Sequence, residues 1–217
     1  MRKKPDFSAD PSFLAELGHE LRTPLTAIIG FADAMRARAF GPLGEPYAQG
    51  ADTIHEAGQH LLALVDDLTN VARIESGRAA PAMETFEIGD LVSRTAALFA
   101  LDAQRAGVRL SVSSDAGPID VIADRGSIRR ILINLIGNAL KFTRAGGAVA
   151  VTIDMDGVDL LLFVDDDGGR EPEVKGEGLG LRLVRALCTL HDGSMAMASE
   201  PGAGTSVTVR LPIVSNP

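Results

Sequence analysis

The sequence predicts two joined folds: an antiparallel helical hairpin that pairs with a second copy to make a four-helix bundle, then an α+β domain. Three observations predict this. Residues 8–77 carry apolar side chains at spacings of three and four, the period of a helix. From Met83 onward the pattern changes to the alternation of strands, as in "METFEI" and "VRLSVS", with helical stretches between them. "FGPLGEP" at 40–46 breaks the helical half in two, and Pro81 with its neighbours marks the boundary between the halves. The domains therefore read as 8–79 and 83–215.

The first helix starts at Ser8 or Asp10, with Pro11 just inside, and runs to about Ala39. Its apolar seam is Leu14, Leu17, Leu21, Ile28 and Phe31. The second runs from about Tyr47 to Ser76, with Ile54, Leu61, Leu62, Val65, Leu68 and Val71 on one face and Gly77 as its cap. Two helices with one stripe each leave much apolar surface wet, so a homodimer through the hairpin is expected. In the second half, one helix is expected over 88–106, another over 125–141 and a third over about 179–191. "GAVAVTIDM" and "VDLLLFVDD" read as strands joined by a turn at Asp156 and Gly157. "GSMAMAS" and "TSVTVRLP" form a closing hairpin around "EPGAG". The result is a mixed sheet with three helices.

Composition narrows the function. A net charge of −8 over 217 residues argues against nucleic acid as the main partner, because a basic footprint is missing. The single cysteine, Cys188, excludes an internal disulfide and fits a reducing compartment. No apolar run reaches the roughly 18–20 residues that span a bilayer, and no signal-peptide pattern opens the chain. The expectation is a soluble cytoplasmic protein, or the cytoplasmic piece of something longer, without membrane contact.

The chemistry concentrates first in "HELRTPL", residues 19–25. With the seam at heptad positions a and d, His19 falls at f and points away from the bundle core. Thr23 lies one turn further along the same face, and Glu20 is next to His19. Pro24 removes a helical N–H and clashes with the Glu20 carbonyl, at a cost of ~3 kcal/mol. His19 reads either as a surface histidine on a solvated face or as a nucleophile; Pro24 reads either as a packing kink or as a bend that lets the histidine turn deform. A neutral imidazole is a good nucleophile near pH 7. Glu20 could accept the Nδ1 proton and leave Nε2 free to attack, and Thr23 could hold a water in line with a group carried on Nε2.

"HELRTPL" resembles the phosphoacceptor box of sensor histidine kinases. The resemblance continues through "TAIIGFADAM", "FGPLGEPY" and "GQHLLALVDDLTNVARIESGR", covers nearly the whole chain, and is of the PleC/DivJ type within that family. It implies a HisKA-type dimerisation and phosphoacceptor domain followed by a sandwich of the Bergerat or GHKL ATP-binding type. "RRILINLIGNALKFT", 129–143, resembles the family's N-box. Asn134 and Asn138 share a helix face, with Lys141 three residues on. By resemblance Asn138 is the Mg²⁺ ligand, and Asn134 and Lys141 approach the ATP phosphates. Without it, the two asparagines would read as polar residues on a wet face.

"VDDDGGR", 164–170, resembles the first glycine box, with Asp166 on the adenine amino group and Gly168 in the first glycine position. Arg170 stands where the family has a second glycine. A metal cluster of the three carboxylates is the competing reading, opposed by the alternation of side chains along a strand. "GEGLGL", 176–181, resembles the second glycine box: Gly176, Gly178 and Gly180 lead into a helix whose N-terminus favours phosphate. Gly204 and Thr205 sit in the turn of the last box. These glycines read otherwise as ordinary turn residues.

Only "EPEVK" separates Arg170 from Gly176, where the family carries a longer lid over the phosphates. Lys175 or Arg170 could replace a lost contact. Two functions follow from the resemblance. One is ATP-dependent autophosphorylation of His19 and transfer to an aspartate of a response regulator, which the branch implies is DivK-like, with phosphatase activity. The other is a degenerate kinase with weak ATP binding that acts as a phosphotransfer or phosphatase module.

Overall fold

The structure is a computed structural model that describes residues 11–114, 117–168, 178–200 and 203–215. It divides into two compact units at Arg78 and Ala79.

The first unit is the hairpin. Helix α1 spans Pro11–Arg36 and α2 spans Glu45–Glu75. The expected start at Ser8 or Asp10 lies outside the described residues. Helix α1 stops before Ala39 because the chain turns left-handed at Arg38 (φ 56°) and again at Gly41 (φ 102°). Helix α2 ends at Gly77 as expected: its φ of 67° lets its N–H donate to the Ile74 carbonyl at 2.9 Å and that of Arg78 to the Arg73 carbonyl at 3.0 Å, a Schellman closure. Polar pairs fix the antiparallel register. Arg22 meets Asp66, His55 Nδ1 lies 3.1 Å from Asp33, and Arg36 donates to Asp52 at 2.7 Å.

The apolar seam expected on α1 lies outside the contact between the two helices of the hairpin. Among the described residues of α1, Gly18, Ile29 and Ala32 are buried, while Leu21, Ile28 and Phe31 are 39, 47 and 65 % exposed. The same happens on α2, where Val65 and Val71 are buried but Ile54 and Leu61 are exposed. Small residues decide which faces meet. A Cβ on Gly18 would run into the Thr69 hydroxyl, and one on Gly58 would come within 2.8 Å of Ile29 Cγ1. The two helices close on their glycines, and the larger apolar side chains form a stripe outside that contact.

The second unit begins with β1 (Met83–Glu87), α3 (Ile88–Ala97) and α4 (Ala100–Ala106). The single helix expected over 88–106 is thus two. Leu98 and Phe99 donate three residues back, to Thr95 and Ala96, and Phe99 leaves the helical region at φ −95° and ψ 2°. Then come β2 (Arg109–Ser114), β3 (Asp120–Asp124), α5 (Arg125–Phe142), β4 (Ala148–Asp156), β5 (Asp159–Asp166), α6 (Leu179–Leu190), β6 (Ser194–Glu200), β7 (Gly204–Pro212) and β8 (Val214–Ser215).

Among the described residues the strands make two sheets, not one. The larger has the order β2-β4-β5-β7-β6, parallel only between β2 and β4; the smaller is β1-β3-β8, antiparallel throughout. Gly157, at φ 64°, turns β4 into β5 where expected. Val149, Val151 and Ile153 of β4 and Leu160, Leu162 and Val164 of β5 alternate inward beneath α5 and α6. Ile128, Ile131, Leu132 and Ile136 of α5 and Leu183 of α6 meet them at 0 % exposure. Each such side chain contributes roughly 1.5–3 kcal/mol when taken from water. Two carboxylates start the helices. Glu87 accepts from the Gly89 and Asp90 N–H groups ahead of α3, and Asp124 accepts from Ser127 N at 2.9 Å ahead of α5. Burial pushes the Asp124 carboxyl up, but the N–H donors of Ser127 and Ala82, the Ser127 hydroxyl and nearby His191 outweigh it, so it ends below the ordinary range.

Candidate functional sites

Two sites emerge, one in each unit. In the hairpin, His19, Glu20 and Thr23 are all exposed on α1. Pro24 lies inside a helix that continues to Arg36, and its ring nitrogen cannot donate to the Glu20 carbonyl. The neighbour of the imidazole is a residue the sequence did not single out. Arg22 donates from Nε and Nη2 to Asp66 Oδ1 at 3.1 and 2.6 Å, which places its Nη1 3.4 Å from His19 Nδ1. Glu20, the expected acceptor for the Nδ1 proton, makes no side-chain hydrogen bond among the described residues. The signal for Arg22 is faint in sequence because its anchor, Asp66, is 44 positions away.

In the α+β unit, the site gathers at the end of β5. Asp166 Oδ1 accepts from Gly168 N at 2.9 Å and from Thr205 N at 3.2 Å, which fixes the plane of the carboxylate and leaves Oδ2 to a ligand. Burial pushes this carboxyl above the ordinary range, Asp167 and Asp165 add to the rise, and the two N–H donors oppose it. Gly168 is left-handed at φ 63° and its missing Cβ would lie 2.7 Å from Gly204 Cα; a Cβ on Gly204, itself at φ 108°, would strike the Asp166 carbonyl. The three successive aspartates do not gather into a metal cluster. Asp167 accepts from Ala148 N at 2.9 Å and so ties β4 to the strand end, and no group of three metal-ligating side chains forms among the described residues.

Helix α5 packs against α6 and β5. Asn134 donates to the Arg130 carbonyl at 3.1 Å, and its Oδ1 fills the place a Cβ of Gly180 would need; Asn138 Nδ2 lies 3.9 Å from that point. Gly180 therefore lets the first turn of α6 close on both asparagines. Gly178 caps α6 without a side-chain bond, so among the described residues no side chain caps the N-terminus of the helix, a place that favours an anion. The Asn138 amide makes no hydrogen bond among the described residues, and its carbonyl is the hard neutral oxygen that Mg²⁺ accepts. Lys141 is exposed, its Nζ 5.5 Å from the Phe142 ring centre. Gly176, Arg170 and Lys175 lie outside the described residues. Cys188 is no candidate nucleophile, since burial pushes its thiol up to about 11.

The two units define a class. Residues 12–77 match the His Kinase A (phospho-acceptor) domain, and residues 123–215 match the histidine kinase-, DNA gyrase B- and HSP90-like ATPase. Together these are the two domains of a histidine kinase catalytic core, and the chain belongs to that family. Within it, the chain sides with a particular group of relatives. It is 42 % identical to histidine protein kinase DivJ and 36 % identical to the non-motile and phage-resistance protein, both of Caulobacter vibrioides, with 94 % of the chain aligned each time. The chain spans only 38 % and 27 % of the length of those two relatives. Both alignments, over 224 and 230 positions, are longer than the 217-residue chain, so the relatives carry residues with no counterpart here. Full-length ShkA in complex with AMPPNP superposes with a TM-score of 0.79 at 31 % identity, over 96 % of this chain and 47 % of that one. Acinetobacter baumannii AdeS shares the fold, with a TM-score of 0.65 at 24 % identity over 90 % of this chain and 98 % of its own. No described helix is long and apolar enough to cross a membrane.

Proposed function

We propose that the chain is the catalytic core of a two-component sensor kinase: ATP phosphorylates His19, and the phosphoryl group passes to an aspartate on a response regulator. The observation that carries this reading is the fixed Asp166 carboxylate in the same unit as asparagines packed on an open helix N-terminus. Oδ2 of Asp166 accepts from the adenine amino group. Asn134, Lys141 and the glycines Gly176, Gly178 and Gly180 receive the phosphates, and Gly168 and Thr205 hold the carboxylate in place. Asn138 would hold Mg²⁺ through its amide oxygen, and the ion would supply positive charge to offset that of the phosphates.

His19 Nε2 attacks the γ-phosphorus, its bond to the ADP oxygen breaks with the electron pair leaving on ADP, and Glu20 accepts the Nδ1 proton of the ring. Thr23 positions the water of the reverse, phosphatase step. The stripe of Leu21, Ile28, Phe31, Ile54 and Leu61 pairs with a second copy to give the four-helix bundle. A receiver domain of the DivK kind is the partner, and the compartment is the cytoplasm.

The test is incubation with γ-labelled ATP and Mg²⁺ beside His19→Ala and Asn138→Ala. Acid-labile, base-stable label that both substitutions abolish is the expected result. One observation favours a second reading: only five residues separate Arg170 from Gly176, where the family resemblance implies a longer lid, and the alignments with relatives run longer than the chain. If no label forms but the chain accepts phosphoryl from a phosphorylated regulator, the kinase reading is overturned in favour of a phosphotransfer or phosphatase module.

A further inference from the structure

Arg22 carries the inference, which rests on His19 being the phosphoacceptor. A guanidinium has five N–H donors, no acceptor, and keeps its charge at every accessible pH. Its hydrogen bond to an imidazole nitrogen therefore needs that nitrogen unprotonated. Arg22 Nη1 lies 3.4 Å from His19 Nδ1, and the guanidinium is not there by chance of rotamer: Nε and Nη2 are both tied to Asp66 Oδ1 on the facing helix. Both partners of that pair are half-buried. In this arrangement the proton of the neutral ring sits on Nε2, the atom whose lone pair must attack phosphorus. The tautomer that reacts has its proton on Nδ1 and needs an acceptor there, and the one carboxylate adjacent in sequence, Glu20, is exposed and uncommitted among the described residues.

We propose that Arg22, anchored by Asp66, is a positioning residue that stores His19 in the Nε2–H tautomer, a resting form. Kinase competence requires the ring to exchange Arg22 for Glu20. The ring loses the Nε2 proton to water and gains one at Nδ1, where Glu20 accepts its hydrogen bond; no bond other than N–H changes. The pair thereby links nucleophilicity at His19 to the spacing of the two helices. A change that separates α1 from α2 at this level releases Arg22 and makes the reactive tautomer available.

The experiment uses the whole chain with ¹⁵N-labelled histidine, and His19→Gln identifies the His19 signals among the four histidines. The nitrogen chemical shifts of the neutral ring report which nitrogen carries the proton, without nucleotide. The parent is expected to show Nε2–H. Arg22→Leu and Asp66→Ala are each expected to raise the Nδ1–H fraction about two- to tenfold, the range of one hydrogen bond. Adding Glu20→Gln to Arg22→Leu is expected to reverse the rise. Initial autophosphorylation rates should follow the same order for Arg22→Leu and Asp66→Ala. A purely structural pair would lower the melting temperature and leave the tautomer unmoved, and that result overturns the proposal. If no variant takes label at all, the kinase reading fails, while the nitrogen shifts still decide the tautomer question.

Discussion

The two units solve the burial problem in opposite ways. In the hairpin the side chains most removed from water at the helix–helix contact are small: Gly18, Ala32, Ala51 and Gly58, with Ile29 set against the last. In the α+β unit they are Ile128, Ile131, Ile136, Leu160, Leu162 and Leu183, all at 0 % exposure. The hairpin gains a close approach and leaves a stripe of large apolar residues wet; the α+β unit places its large residues inside and is complete by itself. On the proposed function, one is finished by a second copy, and the other holds a nucleotide on a rigid frame. A sharp difference in the response to truncation should follow.

The largest effect separates Leu162→Ala from Phe31→Ala. Leu162 lies fully buried in the middle strand of the larger sheet, and its truncation is expected to cost about 2–5 kcal/mol in denaturant unfolding of the α+β unit. Phe31, 65 % exposed, should cost little in helix content but shift the molecule toward monomer in sedimentation experiments. Equal losses of unfolding free energy in the two variants would break the comparison.

Next is Asp166→Ala. It removes a charged acceptor and frees the Gly168 and Thr205 N–H groups, so nucleotide binding by calorimetry should weaken roughly ten- to a hundredfold. The hairpin's melting should be unaffected.

A smaller effect sharpens the glycine argument. Gly58→Ala brings a methyl against Ile29, and the strain of overpacking, about 1–3 kcal/mol, should exceed the ~1 kcal/mol gained in helix propensity. Gly30→Ala, on the same hairpin with nothing within 4 Å, should stabilise by up to about 1 kcal/mol. Thermal melting of the two variants should move in opposite directions.

The smallest effect is a pH dependence confined to the α+β unit. Burial pushes the His191 imidazole below its ordinary 6.5, with Asp124 and Asp192 pulling the other way. Below 6.5 the unfolded chain binds a proton that the folded one does not, so His191 takes stability away as the pH falls from 7, until the folded ring also protonates. Asp124 adds to the loss at lower pH: its depressed carboxyl stabilises above the ordinary carboxylate range, and that gain vanishes as pH drops through its folded value. His191→Phe should flatten the upper part of the profile. An unchanged slope between pH 7 and 5.5 would count against it.

Much of this was legible in the sequence wherever a local pattern decides. The strands β4, β5 and β7 followed from alternation, the turns from Gly77 and Gly157, and the outward position of His19 from the helical period. What was not legible depends on partners distant in the chain. β3 is five residues long and becomes a strand by pairing with β1 and β8. The break at Leu98 and Phe99 has no proline or glycine to announce it. That glycines face the other helix within the hairpin was not legible, because apolar period alone cannot say whether leucine or glycine does so. Arg22 was passed over beside His19 because only Asp66, from the other helix, gives it a direction. The N-cap Asp124 was signalled by Ser127 three positions on and could have been found; Glu87 is an unusual cap and could not.

The back-to-back glycines at 168 and 204 have a consequence for how this site can vary. Where two strand ends meet main chain to main chain, there is no side chain to exchange: a Cβ at 168 meets the backbone of Gly204, and one at 204 meets the backbone of Asp166 and Asp167. A genetic selection for an altered nucleotide base should therefore return changes at Asp166, and silence at 168 and 204. On the proposed function, the floor of the site is inherited as peptide, and its base preference rests on one carboxylate.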